Sequence, residues 1–349
     1  MDFYAVGLMS GTSLDGLDIC YTRFSEDSGK WNFEILKAET FPYPKAWEQK
    51  LRDVFYLSSQ ELAELHSEYG FYLGEQVRTF MQKNSIGKAD LIASHGHTVF
   101  HQPQKKYTVQ IGDGRAVKIV AGIPVVYDFR SQDVLMGGNG APLVPIGDEL
   151  LFSEFDACLN LGGFSNISFR KDGKRIAFDI CPVNIVLNEF ALKLGKKYDE
   201  NGELARNGRV DEALLYQLNQ LEFYRQQPPK SLGTEWLNEF VTPLLKGKEP
   251  ETVLATFTQH IAEKLAETLN LNNLKNLLVT GGGAYNCYLI ELLKERTATE
   301  IIIPSKDIIE FKEALVFAFM GVLKMRGENN VLSSATGCSE DHSSGIVVM

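Results

Sequence analysis

The residues best suited to chemistry in this chain lie in a short glycine-rich loop near its beginning. The loop, residues 10–16, combines glycines, hydroxyl side chains and an acid in the order Ser-Gly-Thr-Ser-Leu-Asp-Gly. Glycine admits backbone conformations in which successive N–H groups converge on one anion, and the hydroxyl groups add further donors. The loop therefore predicts phosphate binding, with a structural glycine turn as the alternative. The carboxylates of Asp15 and Asp18 could hold a hydrated cation beside the phosphate.

Two strands must position this loop. An apolar run, residues 4–9, leads into it, and residues 17–22 then alternate between apolar and polar side chains. Such alternation indicates a strand. We therefore predict a β-hairpin, which differs from the strand, loop and helix of a Walker A or a Rossmann nucleotide site.

Further strands and helices follow this hairpin. Strands are predicted at residues 31–39, 89–94, 108–111 and 123–126, and an amphipathic helix at residues 59–83. A second unit of strand, glycine turn and strand then follows, with strands at residues 157–161, 166–170 and 175–179.

The recurrence of this pattern predicts two α/β lobes. We expect them at residues 1–145 and 146–349, with the crossing between them in the Gly/Pro-rich segment 136–145. The second lobe would end in a long apolar helix over residues 312–325.

Two more glycine loops could contact a nucleotide. Gly162 and Gly163 follow a strand, and Gly281, Gly282 and Gly283 stand between a strand and a helix. A helix N-terminus favours a negative charge or a polar ligand edge. Either loop taken alone is equally well explained as a tight structural turn.

One acid stands at the end of a predicted strand. Asp179 belongs to the run Phe-Asp-Ile-Cys-Pro-Val-Asn, in which Pro182 favours the first turn of a helix. Asp179 could therefore be the N-cap of that helix. A catalytic base is the other interpretation.

Histidines and an arginine mark a further polar region. His95, His97 and His101 lie within seven residues, but no acidic ligand is near them in sequence, and zinc needs three or four ligands. We therefore do not expect a metal site there. Arg130 suits a carboxylate of a ligand, and an ordinary ion pair is the alternative.

Size and composition restrict the class of protein. The chain has 349 residues, a net charge of −10 and no basic run, which argues against a nucleic-acid surface. Its five cysteines are widely spaced and include no C-x-x-C pair. No signal peptide and no membrane span are visible. These features are typical of a cytoplasmic enzyme.

The motifs resemble those of a known family. Residues 7–18, Gly-Leu-Met-Ser-Gly-Thr-Ser-Leu-Asp-Gly-Leu-Asp, closely resemble the opening signature of the anhydro-N-acetylmuramic acid kinases, which belong to the sugar kinase, Hsp70 and actin superfamily. The runs Asn-Leu-Gly-Gly-Phe-Ser-Asn and Asp-Ile-Cys-Pro-Val-Asn are similar to two more motifs of that family. The resemblance implies two ribonuclease-H-like lobes with a central nucleotide cleft.

The resemblance also implies roles for particular residues. Asp179 would be the catalytic base, Thr98, Arg130 and Glu313 would bind the amino sugar, and Asp15 would hold Mg²⁺. ATP would bind to the following residues: Gly11, Thr12, Ser13, Leu14, Asp15, Gly16, Leu17, Asp18, Gly162, Gly163, Gly281, Gly282 and Gly283. The implied reaction opens 1,6-anhydro-N-acetylmuramic acid with water and transfers the γ-phosphate of ATP to its 6-oxygen.

The resemblance implies a small amino sugar as the partner, leaves a homodimer open, and gives no place to nucleic acid or a membrane.

Some positions depart from the family pattern. Cys181 and Val183 stand where glycine is usual, so we expect a strained or narrowed backbone beside Asp179. The run Ile-Glu-Phe-Lys at residues 309–312 replaces a glycine and an aspartate expected before Glu313. An ATP-binding homologue with altered or lost sugar turnover therefore remains an alternative. A nucleotide switch of the Hsp70 or actin type is a second one.

Overall fold

The computed structural model describes residues 1–11 and 14–349, which form two compact units. Unit 1 contains residues 1–152 and 311–349, and unit 2 contains residues 153–310. Among the residues described, no helix combines the length and the apolar character that crossing a membrane requires.

Strands of the described chain form one sheet in each unit. In chain order they are β1 (Asp2–Ser10), β2 (Leu17–Asp27), β3 (Lys30–Phe41), β4 (Leu91–Gln102), β5 (Tyr107–Ile111), β6 (Val125–Tyr127), β7 (Ala157–Leu161), β8 (Phe164–Lys171), β9 (Lys174–Pro182), β10 (Asn276–Thr280), β11 (Glu300–Ile302) and β12 (Ile346–Val348).

The α-helices range from single turns to more than twenty residues. In chain order they are α1 (Lys45–Asp53), α2 (Ser59–Lys83), α3 (Gly114–Ala121), α4 (Ser131–Leu135), α5 (Pro145–Leu150), α6 (Asn184–Lys193), α7 (Glu203–Asn207), α8 (Glu212–Asn219), α9 (Thr234–Trp236), α10 (Thr242–Leu245), α11 (Pro250–Leu271), α12 (Cys287–Lys294), α13 (Lys306–Met325) and α14 (Ser333–Thr336).

The two sheets have the same topology. The sheet of unit 1 runs β12-β6-β4-β1-β2-β3, with β5 paired to β4, and that of unit 2 runs β11-β10-β7-β8-β9. In unit 1, β2 is antiparallel to β1 and β3 is antiparallel to β2, whereas β4 and β6 run parallel to β1. In unit 2, β8 is antiparallel to β7 and β9 is antiparallel to β8, whereas β10 and β11 run parallel to β7. Each unit therefore repeats one α/β arrangement, and the two lobes of ribonuclease-H-like type are confirmed.

Helix α2 shows how local sequence specifies an element. The Ser58 hydroxyl accepts from the Glu61 N–H at 3.3 Å, and the Glu61 carboxylate accepts from the Ser58 N–H at 2.8 Å. This reciprocal capping box fixes the first turn. Tyr69, Leu73 and Val77 recur at helical spacing and are buried against the sheet of unit 1. The predicted helix over residues 59–83 is confirmed.

Helix α13 completes unit 1 from the far end of the chain. A Cβ on Gly7 of β1 would collide with the carbonyl oxygen of Ala314, and a Cβ on Gly321 would lie 2.7 Å from the Cβ of Ala93 in β4. The two glycines thus allow the helix to approach these central strands closely. Since these contacts join residues that are more than 200 positions apart in the sequence, no local pattern predicts them.

The division of the chain differs from the expected boundary at residue 145 in two ways. Residues 311–349 belong to unit 1, because α13 packs on β1 and β4. The Gly/Pro-rich segment 136–145 also stays inside unit 1 and is not the crossing. It is held there because the Gly140 N–H donates to the Asp133 carboxylate at 2.6 Å and the Asn139 N–H donates to the Thr336 carbonyl at 2.8 Å.

Candidate functional site

The loop expected to bind phosphate joins β1 and β2. Their register pairs Ser10 with Leu17, so residues 11–16 form the connection. Thr12 and Ser13 lie outside the described residues. Gly11 and Leu14 flank them, and a Cβ on Gly16 would lie 2.7 Å from the Phe41 carbonyl oxygen, so only glycine fits there.

A buried chain of hydrogen bonds fixes the base of this loop. The Tyr43 hydroxyl donates to Ser10 Oγ at 2.7 Å and lies 2.6 Å from the Tyr69 hydroxyl. Ser10 Oγ also lies 2.9 Å from His97 Nδ1. Burial lowers the pKa of His97 to about 4, so the imidazole is neutral at physiological pH. The network joins β1, β4 and α2 at the first residue of the loop.

The two acids of the hairpin differ in their surroundings. Asp15 is exposed within the loop. Asp18 lies at the start of β2, opposite Thr40 of β3, and its Oδ1 accepts a hydrogen bond from the Thr40 hydroxyl at 2.6 Å. Exposed carboxylate oxygens are ligands that Mg²⁺ accepts when substrate phosphates and water complete its shell. The donor set therefore fits magnesium.

The second glycine loop, in unit 2, is tied to the start of helix α6. The Gly163 carbonyl accepts from the N–H groups of Val183 and Ile185 at 2.8 and 3.2 Å, and the Gly162 carbonyl accepts from the Asn184 N–H at 3.2 Å. The carbonyls are thereby turned toward the helix. Within the described chain, neither glycine amide donates to another backbone group outside the strands. Those amides can serve an anion.

The third glycine loop lies directly beside the second. Gly281 has a φ of 80°, and a Cβ there would collide with the Asn160 side chain. A Cβ on Gly283 would lie 2.7 Å from the Cβ of Leu161. The Asn184 side chain donates to the Leu161 carbonyl at 3.0 Å and so joins the two loops to α6. The structure therefore brings Gly162, Gly163 and residues 281–283 together.

A cavity of about 500 Å³ opens next to these loops within unit 2. Gly282 and Gly283 line it, together with two partly exposed aromatic side chains, Tyr198 and Tyr285. Tyr285 is positioned by its hydroxyl, which donates to Glu310 at 3.1 Å. Apolar ring faces beside glycine backbone are suited to a flat heteroaromatic group such as a purine.

Asp179 is not a helix cap. It lies in β9 opposite Asn166 of β8, and α6 begins at Asn184 with Val183 as its N-cap. The predicted helix start at Pro182 is wrong because that residue still pairs with Phe164 in the sheet. The Asp179 Oδ2 accepts from the Leu232 N–H at 2.7 Å, and the Asp179 N–H donates to the Lys230 carbonyl at 3.1 Å.

The remaining carboxylate oxygen of Asp179 has no bonded partner among the residues described. Burial raises the pKa of Asp179 above its usual value of 3.8, and the hydrogen bond from Leu232 partly opposes that rise. One oxygen is thus fixed and the other is open. The chain segment that carries Lys230 and Leu232 was not identified from the sequence, although Pro228 and Pro229 mark it as irregular backbone.

Cys181 and Val183 differ in backbone conformation. Cys181 is an extended residue of β9 with its side chain fully buried, and its φ does not lie in the left-handed region. Its N–H donates to Ser165 Oγ at 3.1 Å, and the same hydroxyl donates to its carbonyl at 3.0 Å. Val183 has a φ of −132°. With a ψ of −99°, Val183 lies outside the allowed regions of the map for L-residues, so the backbone expected to be strained is strained at Val183 and not at Cys181.

The polar residues expected to bind the sugar lie in unit 1. Arg130 donates through Nε to His95 Nε2 at 2.8 Å and through Nη1 to the Gly140 carbonyl at 2.6 Å. Burial lowers its pKa to about 10, although the charges of Glu313 and Asp133 oppose this. Glu313 is accessible to solvent, but the protein atoms around it remove part of its hydration and so raise the pKa of its carboxyl group. The positive charge of Arg130 opposes that rise.

Thr98 occupies a neighbouring position on β4. Its hydroxyl accepts from Gln110 Nε2 at 3.2 Å. Within the described residues no hydrogen bond joins it to Arg130 or Glu313. The structure thus couples Arg130 to Glu313 and leaves Thr98 separate from them.

The three histidines of this strand have separate partners. His95 accepts from Arg130, His97 contacts Ser10, and His101 Nδ1 lies 3.1 Å from the Thr108 hydroxyl. Among the described residues they do not form a metal-binding group.

The altered residues before Glu313 have a structural explanation. Lys312 is buried, and its Nζ lies 2.7 Å from the Asp148 carboxylate, which is also buried. The pair anchors the first turns of α13 to α5 within unit 1. Lys312 therefore stabilises the helix and presents Glu313 one residue further along.

The chain is similar to several known proteins. Residues 3–349 match the family model described as "Anhydro-N-acetylmuramic acid kinase". A protein of that name from Haemophilus influenzae is 33% identical over 99% of this chain and 97% of its own. One from Bacillus thuringiensis is 32% identical over 97% of each chain. A solved ROK family glucokinase from Streptomyces griseus, in complex with glucose and AMPPNP, has 12% identity and a TM-score of 0.42, covering 91% of this chain and 98% of its own.

Proposed function

Because the chain belongs to the anhydro-N-acetylmuramic acid kinase family, we propose that it opens 1,6-anhydro-N-acetylmuramic acid and phosphorylates the freed 6-oxygen. Membership in this family makes it an ATP-dependent sugar kinase. The proposed products are N-acetylmuramate 6-phosphate and ADP, in a step of peptidoglycan recycling. We assign the reaction to the cytoplasm, where ATP is supplied.

The arrangement of Asp179 is the observation that carries this proposal. One of its oxygens is held by the Leu232 N–H, and the other is open to a water molecule. The open oxygen accepts a proton from that water as the water oxygen bonds to the anomeric carbon. The bond from that carbon to the 6-oxygen breaks at the same time. The raised pKa of Asp179 makes it a stronger base than an ordinary aspartate.

The freed 6-oxygen then attacks the γ-phosphorus of ATP, and ADP leaves. This step asks the protein mainly for positioning and for neutralisation of the phosphoryl charge. Backbone N–H groups at Gly11, Gly16, Gly162 and Gly163 are proposed to bind the phosphates, with Thr12, Ser13, Leu14 and Leu17 completing the first hairpin. Asp15 would hold Mg²⁺, with Asp18 beside it, and the ion would supply charge neutralisation when bound.

The adenosine is proposed to lie at residues 281–283, in the cavity flanked by Tyr198 and Tyr285. The sugar is proposed to contact Thr98, Arg130 and Glu313. The Nε and Nη1 atoms of Arg130 donate hydrogen bonds to His95 and Gly140, and Nη2 has no hydrogen-bond partner in the described part of the chain. A substrate carboxylate, such as that of the lactyl group, would accept from Nη2.

Turnover in heavy-oxygen water tests the reaction directly. The enzyme is mixed with Mg-ATP and the anhydro sugar, and the reaction is quenched after one turnover. The mass of the phosphorylated product is then measured by mass spectrometry. We expect one heavy oxygen at the anomeric carbon, because the attacking water supplies it. Unlabelled product held in the same water for the same time is the control for spontaneous exchange. ADP release without sugar phosphate would instead support the nucleotide switch.

Binding of ATP can be tested separately from turnover. At a hundredfold excess over its Kd, Mg-ATP should stabilise the folded protein by about 2.7 kcal/mol. A thermal shift with ATP but no product from any amino sugar would identify the homologue with lost turnover. No shift at all would contradict the assignment of the glycine loops. Formation of a homodimer stays a prediction, which light scattering can test.

A further inference from the structure

Three side chains of the metal-ligating kind meet in unit 1 outside the proposed catalytic residues. Asp133 lies in α4, and Cys338 and His342 lie in the segment between α14 and β12. All three are buried, and one ligand atom of each lies within 4.8 Å of the others. In the sequence Asp133 lies about 200 residues before Cys338 and His342, which are four residues apart, so no single spacing motif joins all three.

The orientation of His342 leaves a lone pair facing the acid. Its Nδ1 lies 3.2 Å from the Glu340 carbonyl, to which only a protonated ring nitrogen can donate. In the neutral ring the other nitrogen, Nε2, then carries the lone pair. Nε2 is buried and has no hydrogen-bond partner among the residues described. It lies 3.9 Å from Asp133 Oδ1, which is too long for a hydrogen bond.

Asp133 needs a positive charge at this position. Its side chain is fully buried, and its oxygens accept from two neutral donors, the Thr336 hydroxyl at 2.7 Å and the Gly140 N–H at 2.6 Å. The charge of Arg130 reaches Asp133, but its bonded N–H groups donate to His95 and Gly140. Burying a carboxylate is costly unless a cation compensates it. A cation between Asp133 and His342 would satisfy both.

We propose that Asp133, Cys338 and His342 bind a zinc ion. Thiolate, imidazole and carboxylate are the ligand types that zinc takes in proteins. Cys338 Sγ lies 3.6 Å from His342 Nδ1, His342 Nε2 lies 3.9 Å from Asp133 Oδ1, and one ligand atom of each residue lies within 4.8 Å of the others. Ligand atoms around one tetrahedral zinc, with bonds of about 2.0 to 2.3 Å, are separated by roughly 3.3 to 3.6 Å. The Nε2–Oδ1 distance exceeds this range by only a few tenths of an ångström, and the Cys338 side chain would have to turn from Nδ1 toward Nε2 to complete the site.

Neighbouring groups support the site. A metal-bound histidine usually donates its other N–H to a carbonyl or carboxylate, as His342 does to Glu340. The Cys338 thiol donates to the same carbonyl at 3.1 Å, and zinc would displace that proton to solvent. Gly138 leaves space for the cluster, because a Cβ there would collide with the Asp133 carboxylate and lie 2.7 Å from the Cβ of Cys338.

The ion would serve structure rather than turnover. It would fasten the 133–140 loop to the C-terminal segment, where the Asn139 N–H already donates to the Thr336 carbonyl. The Gly140 carbonyl in this loop accepts from Arg130. Zinc would thus stabilise the position of that guanidinium without contacting a substrate. This role is independent of the sugar that the enzyme uses.

Metal titration of the full-length chain tests the proposal. Protein stripped with a chelator is titrated with Zn²⁺ against a chromophoric competitor, and then with Co²⁺ for its absorption spectrum. We expect one metal per chain and a cobalt spectrum with the thiolate charge-transfer band and the visible bands of a tetrahedral site. No stoichiometric binding by the wild-type chain would overturn the proposal.

Variants identify the ligands. Cys338→Ser should abolish the thiolate band and weaken zinc binding at least tenfold, and His342→Gln should weaken it as much. Cys287→Ser is the matched control, because Cys287 is an exposed thiol of unit 2. Binding that survives in Cys338→Ser but is lost in Cys287→Ser would place the metal elsewhere and refute the site. The wild-type spectrum decides the matter if a ligand variant does not fold.

Discussion

Replacing Asp179 by asparagine separates its chemical role from its structural one. Asparagine retains an oxygen that can accept the Leu232 N–H, now 2.7 Å from Oδ2, but it cannot take a proton from water. Loss of a general base commonly costs about 10² to 10⁴ in rate, which corresponds to about 3 to 5 kcal/mol in the barrier. We expect kcat for the anhydro sugar to fall by that factor, with the Kd for ATP unchanged.

The stability of this variant should move in the opposite direction. The folded state raises the pKa of Asp179, so folded protein binds more protons than unfolded protein between 3.8 and the raised pKa. Stability therefore falls as pH rises through that interval, and the cost of burying the charge is fully present at neutral pH. Asparagine removes this cost, so Asp179→Asn should be at least as stable as the wild type at neutral pH and lose that advantage in acid.

Asp179→Ala completes the comparison. It leaves the Leu232 N–H without an acceptor, which should lower stability by about 1 to 3 kcal/mol in urea unfolding. Asp211→Asn is the matched control. That acid caps α8 by accepting from Ala213 and Leu214, so its amide variant should alter stability slightly and turnover not at all. Normal turnover by Asp179→Asn with a weakened fold would refute the reasoning.

Three further changes test the surroundings of the site. Gly281→Ala should raise the Kd for ATP, measured by calorimetry, and should lower the free energy of unfolding in urea by more than Gly247→Ala does. Both glycines have a positive φ, but only Gly281 is crowded by neighbouring atoms. Cys181→Gly should cost about 2 kcal/mol through a core cavity without raising kcat/KM, and a gain in kcat/KM would contradict this. Ser10→Ala should cost about 1 to 3 kcal/mol and weaken ATP binding, because two buried partners lose their hydrogen bond; unchanged unfolding would contradict it.

Local patterns predicted much of the fold. The helix over residues 59–83 carries its own capping box and apolar stripe, and the alternation after the first glycine loop identifies β2. The C-terminal boundary was missed, because the packing of α13 on β1 depends on the absent side chain of Gly7 rather than on its own sequence. The segment 136–145 looks like a linker in composition, yet Asp133 holds it in unit 1.

The sequence predicts which types of residue form the site, but not the groups that hold those residues in place. Asp179 was identified, but whether it caps a helix depends on where β9 ends, and three more strand residues follow it. The partner that fixes its carboxylate, Leu232, contributes a backbone N–H, and a backbone group leaves no signal in side-chain pattern. A hydrogen bond between residues far apart in the sequence, such as that between Ser10 and His97, also leaves no signal in the local sequence pattern.

The discontinuous makeup of unit 1 has a consequence for synthesis on the ribosome. Unit 2 is a single stretch, residues 153–310, so all of its sheet and helix α11 emerge together. Unit 1 cannot complete its fold until residues 311–349 have been synthesised. Before then, α13 is not packed against the faces of β1 and β4 that it contacts in the folded protein. Nascent chains stalled so that residue 310 has just left the exit tunnel should have residues 1–152 sensitive to protease and residues 153–310 resistant to it. The part of the chain that is translated first is therefore the part that completes its fold last.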